Sequence, residues 1–147
     1  MLDIPVRVSP SSIPVLSREG LGVPASPVPL ADGILDTIGR TPLVRLAKLW
    51  PEADFEFFGK LEASNPGGSM KDRPAMRMLR EAMAAGKLNA RSVLVESSSG
   101  NLAIGLAQAC CALDLRLIVV VDPKVTQANL KILRAYGAEI DMVGTPD

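Results

Sequence analysis

An open α/β domain, a parallel sheet with helices on both faces, is the fold class the sequence predicts, and three observations carry that prediction. From Ile34 onward, apolar β-branched runs alternate with segments of helical period. The strand candidates are short continuous apolar runs, the pattern of strands buried on both sides. Finally, 147 residues of which 48% are apolar are enough for one core and too few for two of ordinary size.

Residues 1–33 differ in character from the rest of the chain. They hold Pro5, Pro10, Pro14, Pro24, Pro27 and Pro29, half of the 12 prolines, with no apolar periodicity. They read as an extended arm ahead of a domain over 34–147. Within that domain Phe55 to Leu61 suits a strand. Pro74 to Ala85 suits a helix that sets Ala75, Met78, Leu79, Ala82 and Met83 on one face, and Gly86 ends it. Val93 to Glu96 is the next strand, and Asn101 to Leu113 follows as a helix apolar nearly all round, hence buried. Arg116 to Val121 is β-branched and closed by Asp122-Pro123. A third helix spans about Gln127 to Tyr136, with Thr126 as N-cap and Gly137 just past its end, before a last strand near Glu139 to Val143.

Composition removes several function classes. Sixteen basic and sixteen acidic residues leave no net charge, so nothing draws the chain to nucleic acid or to an anionic membrane. The absence of histidine removes Ser-His and Cys-His nucleophile pairs and the commonest transition-metal ligand, and no metal site is expected. Cys110 and Cys111 lie in an apolar run and read as small buried hydrophobes. No apolar stretch reaches the roughly 18 to 20 residues of a membrane span, and the start lacks the pattern of a secretory signal. The expected setting is the cytoplasm, and the expected partners are small molecules or proteins.

Two strand-to-helix loops stand out, because ligands of open α/β sheets gather where such loops present helix N-termini. The first, Asn65-Pro66-Gly67-Gly68-Ser69-Met70-Lys71-Asp72-Arg73-Pro74, puts Lys71 at the start of a helix. The positive end of the helix dipole disfavours an ammonium there and favours the neutral amine needed to form an imine with an aldehyde, an effect Asp72 partly offsets. A surface lysine in a first turn is also common and usually idle. The second, Glu96-Ser97-Ser98-Ser99-Gly100-Asn101, collects hydroxyls and backbone N–H groups at a helix start, suited to a carboxylate or phosphate. Ordinary capping by Ser99 or Asn101 is the plainer reading. Neither loop fits a nucleotide-binding glycine pattern.

Taken with the run from Ile34 to Val44, the two loops resemble three motifs of the cysteine synthase family, the fold-type-II enzymes that use pyridoxal 5'-phosphate (PLP). Ile34-Leu35-Asp36-Thr37-Ile38-Gly39-Arg40-Thr41-Pro42-Leu43-Val44 is similar to that family's opening signature, Asn65 to Arg73 to its PLP-lysine loop, and Glu96 to Asn101 to its substrate-carboxylate loop. The resemblance implies a small N-terminal domain and part of the large domain of such an enzyme. It implies that Lys71 holds PLP and then takes the Cα proton of the bound amino acid. It also implies that Asn101 hydrogen-bonds the PLP ring hydroxyl and that Ser98, Ser99 and Gly100 bind the substrate α-carboxylate. The implied reaction is β-replacement on an O-activated serine, with amino acids as substrates and a homodimer as the full-length form.

Leu102 stands where sulfide-using members carry Thr, and Ala103 where relatives often have Gly. Gly67 to Ala75, Asn101-Leu102, Val121 to Lys124 and Asn129 to Lys131 are most similar to a siderophore-pathway branch that joins O-phosphoserine to glutamate toward 2,3-diaminopropionate. Cysteine synthesis from O-acetylserine and sulfide is the alternative, and a non-catalytic remnant or binding subunit is a second. Family members run to about twice this length, with the phosphate-cradling loop in the other half. The 147-residue chain alone is therefore expected to be inactive, with exposed apolar surface.

Overall fold

The computed structural model describes residues 31–52 and 54–144. The expected N-terminal arm lies, as far as residue 30, outside them. After a 3-10 turn at Ile34–Thr37, strand β1 (Leu43–Arg45) pairs antiparallel with β2 (Phe58–Lys60), with Val44 opposite Gly59. Backbone bonds from Leu46 N–H to Phe57 O and from Leu61 N–H to Pro42 O extend that ladder at both ends. A second 3-10 turn, Glu62–Ser64, leads into the Lys71 loop and helix α1 (Asp72–Ala84). Then come β3 (Val93–Ser97), α2 (Asn101–Ala112), β4 (Arg116–Val121), α3 (Gln127–Ala135) and β5 (Glu139–Met142).

Strands β3, β4 and β5 form a parallel sheet in sequence order, each joined to the next by a helix. The strand before the Lys71 loop, expected over Phe55 to Leu61, is shorter and belongs to the separate antiparallel pair. Phe55 and Phe57 are instead used in ring contacts, an edge-on pair at 5.0 Å, with Trp50 stacked on Phe57 at 6.2 Å.

The core lies where α2 and α3 cover one face of the parallel sheet. Leu117, Val119 and Val121 of β4 are buried there with Ala103, Leu106, Ala107, Leu130 and Leu133. Every residue of α2 from Ala103 to Cys110 is buried, as its all-round apolar character predicts. Cys110 is among them, and burial pushes its thiol up to about 11. Cys111 is exposed rather than buried, because one residue further along a helix turns it about 100° from the packed face.

Helix α1 packs on α2 with Asp72, Ala75, Met76 and Leu79 inward. The predicted face is therefore rotated: Ala75 and Leu79 are on it, whereas Met78 and Met83 are exposed. Counting apolar residues alone misplaced the stripe because a carboxylate, Asp72, starts it. Helix α3 begins and ends as predicted, with the Thr126 hydroxyl accepting from Asn129 N–H at 3.2 Å and Gly137 at a φ of 79° after the last turn. No helix of the described residues is long and apolar enough to cross a membrane.

Candidate active site

Lys71 is the N-cap of α1, with an exposed side chain. Its backbone N–H donates to the Ser69 hydroxyl at 3.1 Å. Its carbonyl lies against Gly105 in the second turn of α2. A Cβ on Gly105 would stand 3.1 Å from Lys71 O, 3.2 Å from Ala75 Cβ and 3.3 Å from Asp72 Cα. A glycine leaves room for this approach, and a side chain there would press on both helices. Asn101 is four residues before Gly105, one turn of about 5.4 Å along the same side of α2. The Lys71 backbone is thus packed against α2 one turn past Asn101.

The first turn of α2 is open. Gly100 is the N-cap and supplies no side-chain cap, and no atom lies within 4 Å of the position where a Cβ would sit on it. Neither Ser99 nor Asn101 caps the helix, so the plainer reading of the serine loop does not hold. Ser98 N–H donates to Val120 O at 3.2 Å, and Gly100 N–H reaches the Ser98 hydroxyl at 3.4 Å. The Ser99 carbonyl accepts from the Asn129 side-chain amide at 2.8 Å, which ties the loop to the first turn of α3. Ser98, Ser99, Gly100 and Asn101 therefore sit together at a helix N-terminus with unused N–H donors, an arrangement that suits an anion.

A second set of polar residues holds the lysine loop from behind. Arg73 donates from Nε to one Glu62 oxygen at 2.8 Å and from Nη2 to the other at 2.9 Å, a bidentate pair. The same Nη2 reaches the Thr41 hydroxyl at 3.0 Å, and that hydroxyl donates to Glu62 at 2.6 Å. Buried Asn65 donates to Glu62 at 2.9 Å and accepts from Gly39 N–H at 2.8 Å. The Arg73 hydrogen bond, with smaller help from Thr41 and Asn65, holds the Glu62 carboxyl at about 2, well below its ordinary value. The opening signature is so fastened to the lysine loop. Glu62 and Asn129 hold the two loops in place, and the sequence assigned neither a place in the site, Asn129 entering only as part of a run of resemblance. Apart from Asn65, three residues from Glu62, their partners lie 11 to 30 residues away, and nothing in the local pattern announces such pairs.

The donor set fits PLP: an exposed amine at the start of α1, and an amide side chain at Asn101 in the open, uncapped N-terminus of the helix that α1 packs on. The comparisons agree. The model of the pyridoxal-phosphate dependent enzymes matches residues 34–147, so the chain belongs to that family, and PLP is the family's cofactor. Among curated relatives, N-(2-amino-2-carboxyethyl)-L-glutamate synthase of Cupriavidus metallidurans is 49% identical over 118 residues. The protein of the same name from Ralstonia nicotianae is 50% identical over the same length. Each alignment takes in 80% of this chain and 35% of the relative, so the chain spans about a third of their length. Among solved structures, O-ureido-L-serine synthase superposes with a TM-score of 0.74 at 41% identity, over 78% of this chain and 36% of that one. A hydrogen sulfide-producing enzyme of Fusobacterium nucleatum gives 0.70 at 36% identity, over 78% and 38%.

Proposed function

We propose that these residues form the lysine and carboxylate half of a PLP-dependent β-replacement site that joins O-phosphoserine to glutamate, giving N-(2-amino-2-carboxyethyl)-L-glutamate. The observation that supports the reading is the close packing of the Lys71 and Asp72 backbone on Gly105, one helical turn from Asn101. The 49% and 50% identities to synthases of that name support the choice of product.

In this reading Lys71 Nζ and the Asn101 side chain hold the cofactor. Ser98 and Ser99 hydroxyls, the Gly100 backbone and the free N–H groups from Asn101 onward hold the substrate α-carboxylate at the positive helix end. Bound PLP supplies an electron sink for charge left at Cα. Freed when the substrate's own amine takes its place on the cofactor, Lys71 Nζ would accept the Cα proton as the Cβ–O bond breaks and phosphate leaves. It returns a proton to Cα after the glutamate amine has bonded to Cβ and shed its own proton. Leu102 is half-buried against the core, so the position after Asn101 is spent on packing and offers no hydroxyl to the site. That supports an amine nucleophile over sulfide.

Incubating the 147-residue chain with PLP and reducing with borohydride should leave a pyridoxyl group on Lys71, found by peptide mapping, and Lys71→Ala should abolish it. Label spread evenly over exposed lysines would sink the assignment of Lys71. The reaction is tested on a chimera in which residues 34–147 replace the matching stretch of the Cupriavidus metallidurans relative. Turnover of O-phosphoserine with glutamate is expected, and faster turnover of O-acetylserine with sulfide would overturn the choice of substrates.

A further inference from the structure

Asp72 follows Lys71 directly, yet it points the other way. Its side chain is only 1% exposed. One carboxyl oxygen, Oδ2, accepts from Gly67 N–H, five residues back in the same loop. The other, Oδ1, is buried with no hydrogen-bond partner among the described residues. Burial raises its pKa, against the pull of the Gly67 hydrogen bond. A half-satisfied buried carboxyl opposes folding, and a site that keeps one does so for a reason other than packing.

Two close approaches show what the carboxyl holds. A Cβ on Gly67 would stand 2.8 Å from Asp72 Cγ and closer still to Oδ1, so the loop lies directly on the carboxyl. On the other side Asp72 Cα and Lys71 O rest on Gly105 of α2. The peptide carrying Lys71 is therefore gripped between α2 and the loop, and Asp72 is the side chain that closes the grip. The Gly67-Gly68 pair is required here not only for a turn, with Gly68 at a φ of 79°, but to leave room for this carboxyl.

We infer that Asp72 is a positioning residue: by latching Gly67 beneath the loop, it fixes the Lys71 backbone so that Nζ emerges beside the first turn of α2. The inference rests on the reading of Lys71 as the PLP lysine. Asn at this position retains an acceptor for Gly67 N–H, whereas Ala retains none.

The test compares the full chain with Asp72→Asn, Asp72→Ala, Gly67→Ala and the double variant Gly67→Ala/Asp72→Ala. Circular dichroism checks that each is folded. Without PLP, amide hydrogen exchange at Gly67 and Gly68 should quicken by roughly tenfold in Asp72→Ala and stay near wild type in Asp72→Asn. With PLP and borohydride, labelling of Lys71 should fall in Asp72→Ala and in Gly67→Ala, and hold in Asp72→Asn. Gly67→Ala should add no further loss once Asp72 is Ala, because the colliding carboxyl is gone. A folded Asp72→Ala with wild-type exchange and labelling, or an Asp72→Asn as impaired as Asp72→Ala, overturns the inference. Should Asp72→Ala not fold, the contrast between Gly67→Ala and Asp72→Asn decides it alone, and equal labelling in the two overturns it. A wild-type chain that takes no label at Lys71 defeats the PLP-lysine reading and this role of Asp72 together. Equal labelling of wild type and folded Asp72→Ala defeats the role of Asp72 only.

Discussion

Four hydrogen bonds converge on the Glu62 carboxylate: two from Arg73, one from the Thr41 hydroxyl and one from the Asn65 side chain. They lower its pKa from 4.5 to about 2, the Arg73 hydrogen bond being the largest cause. A carboxyl whose folded value lies below its unfolded one stabilises the fold above the unfolded value, and that contribution is lost as pH falls through the folded one. The window for Glu62 thus runs from 4.5 down to about 2. In urea unfolding, the wild-type midpoint should drop more steeply across that window than that of Glu62→Gln, and the two curves should run parallel above it. Parallel curves throughout would remove Glu62 from the acid response. At this scale the placement of Lys71 and Asn101 at helix starts was legible in the sequence, because loop glycines and serines precede each of them. Glu62 was not, since its partners come from the run around Thr41 and from both ends of the lysine loop, which only the fold assembles.

Helices α1 and α2 meet at Gly105, where three atoms lie between 3.1 and 3.3 Å from the position of a Cβ. Gly105→Ala sets two effects against each other. Helix propensity favours Ala by about 1 kcal/mol in a helix interior, whereas overpacking costs about 1–3 kcal/mol. Lys71 O and Asp72 Cα are backbone and cannot swing aside, so overpacking should win. We expect a net loss of about 1 kcal/mol in urea unfolding, with reduced borohydride trapping at Lys71. A Gly105→Ala chain more stable than wild type and fully labelled would show that the helices have slack. The boundaries of α2, β4 and α3 were legible because their signals are local: an all-apolar run, a β-branched run, and Thr126 with Gly137 as brackets. The buried face of α1 was less so, because Asp72 is buried by the loop it latches rather than by the apolar pattern.

Over the whole molecule, what the sequence could not disclose is which apolar surface finds cover. Continuous apolar strands imply burial on both sides, and α2 and α3 cover the side of Leu117, Val119 and Val121. On the other side Val93 is 43% exposed and Val95 64%. They lie on β3, which is also an edge of the described sheet. Around the antiparallel pair, Leu43, Leu49, Trp50, Phe55 and Phe58 are exposed as well. Apolar surface beside an unpaired strand edge promotes association of chains. The isolated 147-residue chain should therefore bind a hydrophobic dye and sediment as more than a monomer as its concentration rises. Val93→Thr/Val95→Thr should shift it toward monomer. Because both side chains are already largely in water, the pair should change unfolding stability by no more than about 0.5 kcal/mol each. Sedimentation unchanged by that pair would move the association to the aromatic surface, where Trp50→Ser and Phe55→Ser should then reduce it. A chain monomeric at every concentration and silent to the dye would mean that neither surface is adhesive, whatever its exposure.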